Sequence, residues 1–230
     1  IAELAAAHGA LLVVDNTFTT PAMFRPMQHG ADIVINSITK FLAGHSDVTL
    51  GYVAAREPGL RTAIYDAAVT WGTTPSPFDC WLAERGLHTF DLRFEKAQAT
   101  AAALADALAG RDGIRQVIYP GRADHPHHNR AGTLFGGQFG NMLSFEIEGG
   151  RDEVNSFVMN AGGIPFAPTL GDVGCTLSHP ASSSHRALTT EGRAALGISE
   201  VYLRLSVGIE PKELVLAELD AALAAVRGES

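Results

Sequence analysis

The sequence predicts an α/β fold: a mostly parallel sheet in a large domain, followed by a smaller α/β domain. Three observations predict it. Two apolar runs, at 10–14 and, within a strand at 31–38, the β-branched 33–35, each stop abruptly at polar residues, as the buried strands of such sheets do. Helical segments alternate with these runs, without the tight turns that join hairpins. A chain of 230 residues, 46% of them hydrophobic, supplies enough apolar surface for one large core or two small ones.

Taken in order, residues 1–9 form a helix that Gly9 ends, leading into a strand at 10–14 and a turn at 16–21. The segment 23–30, with Pro26 inside it, is at best a short broken helix. The strand at 31–38 follows, then a short apolar strand at 51–55 and a helix over about 60–68. From Pro77 the pattern turns helical. The alanine-rich run at 90–109, ended by Gly110, is long enough to bridge two domains, which places a boundary near residue 95 and domains at 1–95 and 96–230. A strand at 114–119 precedes a loop containing Pro120, Gly121, His125, Pro126, His127 and His128. Residues 141–148 alternate with period two, and 153–160 are helical until Gly162 and Gly163. The stretch 165–180 is rich in loop formers, the kind of segment where enzymes hold substrate contacts. A strand at 200–207 and an amphipathic helix at 211–226, opened by Pro211, complete the chain.

Composition excludes several classes. The net charge is −8 and the 17 Lys and Arg form no basic block, which argues against a nucleic-acid surface. The longest apolar runs fall short of the roughly 20 residues a membrane span needs, and the opening residues lack the order of a secretion signal, so a cytoplasmic setting is expected. Cys80 and Cys175 are too few for a disulfide framework and too far apart for a metal knuckle. The histidine loop lacks a second ligand group, so no metal is expected, and a metal-dependent hydrolase is the weakest reading. The chain opens at Ile1 without an initiator methionine, a cap or a preceding strand, and is expected to be the carboxy-terminal portion of a longer protein.

The chemistry concentrates at two strand ends. The run at 10–14 ends in Asp15, and the run at 33–35 ends in Asn36, Ser37, Thr39 and Lys40. An isolated lysine is usually a solvated charge, and an isolated aspartate often a cap. An amine and a carboxylate at neighbouring strand ends fit pyridoxal phosphate (PLP) together: the amine forms a Schiff base with its aldehyde, the acid pairs with its pyridinium nitrogen, and the hydroxyls of Ser37 and Thr39 suit its phosphate.

Val13-Val-Asp-Asn-Thr-Phe18, Ser37-Ile-Thr-Lys40 and Gly44-His-Ser-Asp-Val48 carry a wider resemblance. So do Ser76-Pro-Phe-Asp79, Arg85-Gly-Leu-His-Thr89, Leu170-Gly-Asp172, His179-Pro-Ala-Ser182 and Leu203-Arg-Leu-Ser-Val-Gly-Ile-Glu210. In collinear order across the chain, these segments resemble the PLP-dependent trans-sulfuration family of Cys/Met metabolism, which includes cystathionine γ-synthases and γ-lyases, methionine γ-lyases and O-acylhomoserine sulfhydrylases. The resemblance implies the aspartate-aminotransferase-like fold (fold type I) and a homotetramer of dimers that share active sites. It makes Lys40 the cofactor lysine and proton carrier, Asp15 the pyridine-nitrogen partner, and Ser37 and Thr39 phosphate ligands. Arg204 becomes the clamp for the substrate carboxylate, with Cys175 and Ser184 beside the substrate.

One departure bears on specificity. Where many cystathionine-handling members carry Glu-Ser, this chain has Gly174-Cys175. The expected reaction is therefore γ- or β-elimination or replacement on a sulfur amino acid or O-acylhomoserine, of methionine γ-lyase or O-acetylhomoserine sulfhydrylase type, ahead of a cystathionine γ-lyase or γ-synthase. By the same resemblance, the family's ring-stacking tyrosine, its glycine-rich phosphate turn and the residues lent across its dimer interface are expected upstream of Ile1. That leaves a non-catalytic assembly partner as the competing class.

Overall fold

The computed structural model describes residues 1–229 and divides into two compact units, one spanning Ile1–Asp91 and the other beginning at Leu92. The division falls within the first turn of a long helix.

The first unit runs α1 (Ala2–Ala7), β1 (Val13–Asp15), α2 (Thr20–Met23), a 3-10 turn at Pro26–His29, β2 (Ile33–Ser37), a π-type turn at Ile38–Leu42, β3 (Gly51–Ala55), α3 (Pro58–Trp71), α4 (Pro77–Leu87) and the start of α5 (Phe90–Leu108). Pro26 opens the 3-10 turn, as a residue without an N–H to satisfy can. The sheet order is β1-β2-β3. β1 and β2 pair in parallel with Asp15 opposite Ile35, whereas β2 and β3 pair antiparallel with Ile35 opposite Val53 and Ser37 opposite Gly51. The antiparallel pair departs from the parallel arrangement that the spacing predicts. Its cause is local: Thr39 N–H donates to Leu50 O (3.1 Å) and the Thr39 hydroxyl bonds the Leu50 backbone, so the chain folds back instead of crossing over. α4 starts at a Ser76 cap that accepts the Asp79 N–H at 3.1 Å. It lies close against the π-type turn because Gly86 has no side chain; a Cβ there would sit 2.4 Å from Ala43 O.

The second unit contains the rest of α5, β4 (Ile114–Ile118), α6 (His128–Leu134), β5 (Met142–Ile147), α7 (Arg151–Asn160), β6 (Thr176–Ser178), α8 (Thr190–Ala195), β7 (Tyr202–Ser206) and α9 (Lys212–Arg227). Its sheet is antiparallel throughout, in the order β4-β5-β7-β6. Leu143, Phe145, Ile147, Leu177, Leu203 and Leu205 fill one sheet face and belong to the same core as Leu104 and Leu108 of α5, Val154 and Phe157 of α7, and Leu219 and Leu223 of α9. Each such side chain contributes about 1.5–3 kcal/mol by leaving water. β6 lies inside the stretch read from sequence as loop. Its three residues are too short a run to show a period, and they pair because β7 offers an edge. No helix among the described residues is long and apolar enough to cross a membrane.

Candidate active site

β1 and β2 deliver Asp15, Ser37, Thr39 and Lys40 to their carboxyl ends. Because Asp15 is opposite Ile35, and residues two apart on a strand share a face, Asp15, Ile35 and Ser37 lie on one face of the sheet. Two turns of polar backbone fix them there. Thr17 N–H donates to Asp15 Oδ1 at 2.9 Å, an Asx-turn that holds the carboxylate. The Thr17 hydroxyl oxygen accepts the Ser37 N–H at 2.9 Å, which joins the two strand ends. Behind them the buried Asn16 is a hub: its N–H donates to Ile35 O (2.8 Å), its Nδ2 to Phe24 O (2.9 Å), its Oδ1 accepts the Thr19 hydroxyl (2.6 Å), and its carbonyl accepts Asn36 Nδ2 (3.1 Å). Reading the sequence for chemistry passed over Asn16 and Thr17. The Asp-Asn-Thr order after a strand is the signal that marks them, since these side chains bond their own backbone.

Lys40 is half-buried in the π-type turn, where the backbone leaves helical geometry (φ −82°, ψ −130°). A π-type turn between a strand and a helix-like segment is a recurrent device at functional sites. The two hydroxyls expected to hold phosphate differ. Among the described residues the Ser37 hydroxyl makes no hydrogen bond, whereas the Thr39 hydroxyl gives its proton to Leu50 O (3.1 Å) and accepts the Leu50 N–H (2.8 Å). The Thr39 hydroxyl thus braces the loop at Leu50, while that of Ser37 is left with no bond among the described residues. These groups fit PLP: an amine for the aldehyde, a carboxylate held open at a strand end for the pyridinium nitrogen, and a hydroxyl for a phosphate oxygen.

In the second unit Arg204 sits on β7, opposite Ser144 of β5 and Ser178 of β6, on the face away from Leu203 and Leu205. Its Nη2 donates to Thr169 O at 3.4 Å, while Nε is buried without a partner among the described residues. Burial lowers the pKa of this guanidinium, and no carboxylate is paired with it among the described residues. A half-buried guanidinium in that state is suited to a planar anion such as a carboxylate.

Cys175 precedes β6 and is buried; its thiol donates to Glu210 Oε2 at 3.2 Å and accepts the Gly208 N–H at 3.2 Å. Burial, with the Glu210 carboxylate beside it, pushes the thiol up to about 12. Ser184 stands exposed after a 3-10 turn at Pro180–Ser182, its hydroxyl bonded to His185 Nδ1 at 2.8 Å. The start of that turn is held by the buried His179, whose Nε2 bonds Glu200 O at 3.0 Å and whose Nδ1 faces the Ser182 hydroxyl at 2.6 Å and Arg151 Nη1 at 3.2 Å. A carbonyl only accepts, so Nε2 carries the proton and Nδ1 accepts. The histidines of the 120–128 loop are engaged locally: His125 Nδ1 takes the His127 N–H (3.2 Å), and His128 bonds Pro120 O (2.9 Å) and stacks on Phe139 with centroids 5.2 Å apart.

The chain is similar to known proteins along nearly its whole length. A cystathionine beta-lyase of Bacillus subtilis (strain 168) is 41% identical over 223 residues, which cover 97% of this chain and 57% of that protein. An L-methionine gamma-lyase of Pseudomonas putida is 38% identical over 226 residues, covering 98% of this chain and 56% of that protein. The crystal structure of a cystathionine gamma synthase from Xanthomonas oryzae pv. oryzae, in complex with aminoacrylate and cysteine, superimposes with a TM-score of 0.93 at 45% identity, covering 99% of this chain and 59% of that one. The chain thus spans less than three-fifths of the length of these relatives, whose fold is that of PLP-dependent fold type I enzymes. The family model for Cys/Met metabolism PLP-dependent enzymes matches residues 1–224, and the chain belongs to that family.

Proposed function

We propose that the holoenzyme carries out γ- or β-elimination or replacement on a sulfur amino acid or an O-acylhomoserine, of methionine γ-lyase or O-acetylhomoserine sulfhydrylase type. When bound, PLP supplies the electron sink that makes the substrate's Cα and Cβ protons removable. Asp15 holds the proton on the ring nitrogen, and its Asx-turn keeps the carboxylate from swinging away. Ser37 donates to the phosphate. Lys40 carries protons at the substrate carbons as general base and acid. Arg204 would take the substrate carboxylate and so orient the amino acid.

The observation that carries the choice of type lies at residues 174–175. Gly174 presents no side chain, and the nearby Glu210 carboxylate is engaged, accepting the Cys175 N–H at 2.5 Å and its S–H at 3.2 Å. Asp172 Oδ1 accepts the Gly174 N–H at 3.2 Å, so position 174 itself offers no charge for the distal ammonium of cystathionine. The second reading, a cystathionine lyase or synthase, is favoured by the similarity to such enzymes at 41% and 45% identity. A homotetrameric assembly and a cytoplasmic setting belong to the same proposal.

Product analysis with methionine, cystathionine and O-acetylhomoserine separates the two readings. Turnover of methionine or O-acetylhomoserine supports the first, and activity on cystathionine alone overturns it. In either case Lys40→Ala is expected to remove the visible absorption of lysine-bound cofactor and to lower turnover by about 1000-fold or more.

A further inference from the structure

β7 does not end its work at Ser206. Ser206 and the residues 208–210 after it run beside the turn at 171–175 and are bonded to it. Gly171 N–H donates to the Ser206 hydroxyl oxygen at 3.0 Å, and Ile209 N–H to Val173 O at 2.8 Å. Gly208 N–H donates to Cys175 Sγ at 3.2 Å, and Cys175 N–H returns to Glu210 Oε1 at 2.5 Å. Gly208 makes this approach sterically feasible, since a Cβ there would sit 2.3 Å from Val173 O and 2.5 Å from Glu210 Oε2. In this lattice of bonds Glu210 alone brings a formal charge. Its carboxylate takes a backbone N–H and a thiol from one residue, and a charge-assisted bond of that kind is the strongest link in the set.

We propose that Glu210 is a positioning residue for substrate selection: it staples the 171–175 turn to the strand that carries Arg204, and so fixes the distance between the carboxylate clamp and the wall facing the substrate's side chain. The proposal rests on the reading of Arg204 and the 174–175 turn as substrate-facing. Cys175 acts here through Glu210, as the donor that locks the carboxylate, and its thiol is spent on that bond. The place of Gly174 follows from the same geometry. A Cβ on it would lie 3.6 Å from Glu210 Oε1, an ordinary contact, so space does not exclude a side chain there. An acidic side chain at 174 would, however, start beside an existing carboxylate, and its charge would weaken the staple. The fastening role falls to Glu210, which reaches the turn from the segment after β7.

The test reads the thiol and the kinetics together, in the holoenzyme with Cys80→Ala removing the exposed cysteine. Cys175 is expected to react slowly with a disulfide reagent, and Glu210→Gln, which keeps size but loses charge, to speed that reaction by about tenfold. With the substrate the enzyme turns over, Glu210→Gln is expected to raise KM about tenfold while kcat changes less than about threefold. Equal thiol protection in Glu210→Gln overturns the staple. Faster thiol reaction with KM unchanged overturns its role in selection. If the holoenzyme turned over none of the three substrates, the proposed function would fall, and the thiol rates would still decide whether Glu210 holds the turn.

Discussion

The two units fix their functional strands by different means. In the second, Leu203 and Leu205 are fully buried on one face of β7, and that burial decides where Arg204 stands on the other. In the first, the face that bears Asp15 and Ser37 also bears Val13, Ile35 and Val53, which are 49, 39 and 48% exposed. What aligns Asp15 with Ser37 is a set of hydrogen bonds through Asn16 and Thr17, each contributing about 1 kcal/mol. Burial on one face sets the strand of Arg204, while side-chain hydrogen bonds join the strand ends at Asp15 and Ser37, so the two should respond differently to substitution.

The largest expected effect breaks or supports that contrast directly. Phe157→Ala in the second unit removes a fully buried ring and is expected to cost about 3–5 kcal/mol in denaturant unfolding. Val53→Ala on the open face of the first unit is expected to cost about 1 kcal/mol or less. A loss at Val53 as large as that at Phe157 would show this face to be covered in solution, and the contrast would fail. Next in size is Arg204→Lys. An ammonium keeps the charge but not the two parallel donors, so the expected loss is about 1.5–3 kcal/mol of binding, a rise in KM of about 10- to 100-fold with kcat little changed. A fall confined to kcat would mean that Arg204 makes its contact only in the transition state.

How legible these features were in the sequence follows the same division. Strand β7 and its arginine announced themselves, because Leu203 and Leu205 alternate with Arg204 and a half-buried strand has period two. The strand ends at Asp15 and Lys40 were legible because apolar runs stop there. The antiparallel return of β3 was not, since the bonds of the Thr39 backbone N–H and hydroxyl to Leu50 turn the chain back, and no periodicity encodes such bonds. Residue type names the Thr39 hydroxyl as a donor, and only the fold shows its bonds to Leu50. β6 and Glu210 stayed hidden for a related reason. Both are defined by partners about 25 to 35 residues away, Arg204 for Ser178 and Cys175 for Glu210, and sequence reasoning sees neighbours.

His179 sharpens the contrast through pH. It is buried, and its pKa is lowered first by that burial, with Arg151 and Arg193 acting in the same direction against Glu200. Arg151 and Arg193 both bridge to the Glu200 carboxylate, so the charges around the ring are already paired. Folded His179 stays neutral at pH values where the unfolded chain binds a proton. Unfolding then takes up that proton, and stability, constant above the ordinary value of 6.5, is lost as pH falls below it. Denaturant midpoints at pH 8 and at successively lower pH should show this decline, and His179→Gln should flatten it. A decline unchanged in His179→Gln would assign it to other groups.

The smallest effect separates the two hydroxyls at the cofactor end. Thr39→Val keeps the shape of the side chain and removes both bonds to Leu50, leaving a backbone N–H without its acceptor. The expected cost is about 1 kcal/mol of stability, read by thermal or denaturant unfolding of the apoprotein, with cofactor affinity unchanged. Ser37→Ala should do the reverse, because its hydroxyl holds nothing among the described residues: stability stays, and the dissociation constant for pyridoxal phosphate, followed by its visible absorption, rises. If Thr39→Val weakened the cofactor as much as Ser37→Ala, the Thr39 proton would have to leave Leu50 for the phosphate when the cofactor binds. The loop from 39 to 50 would then be set by the cofactor, and the polar-turn account of the first unit would give way at that point.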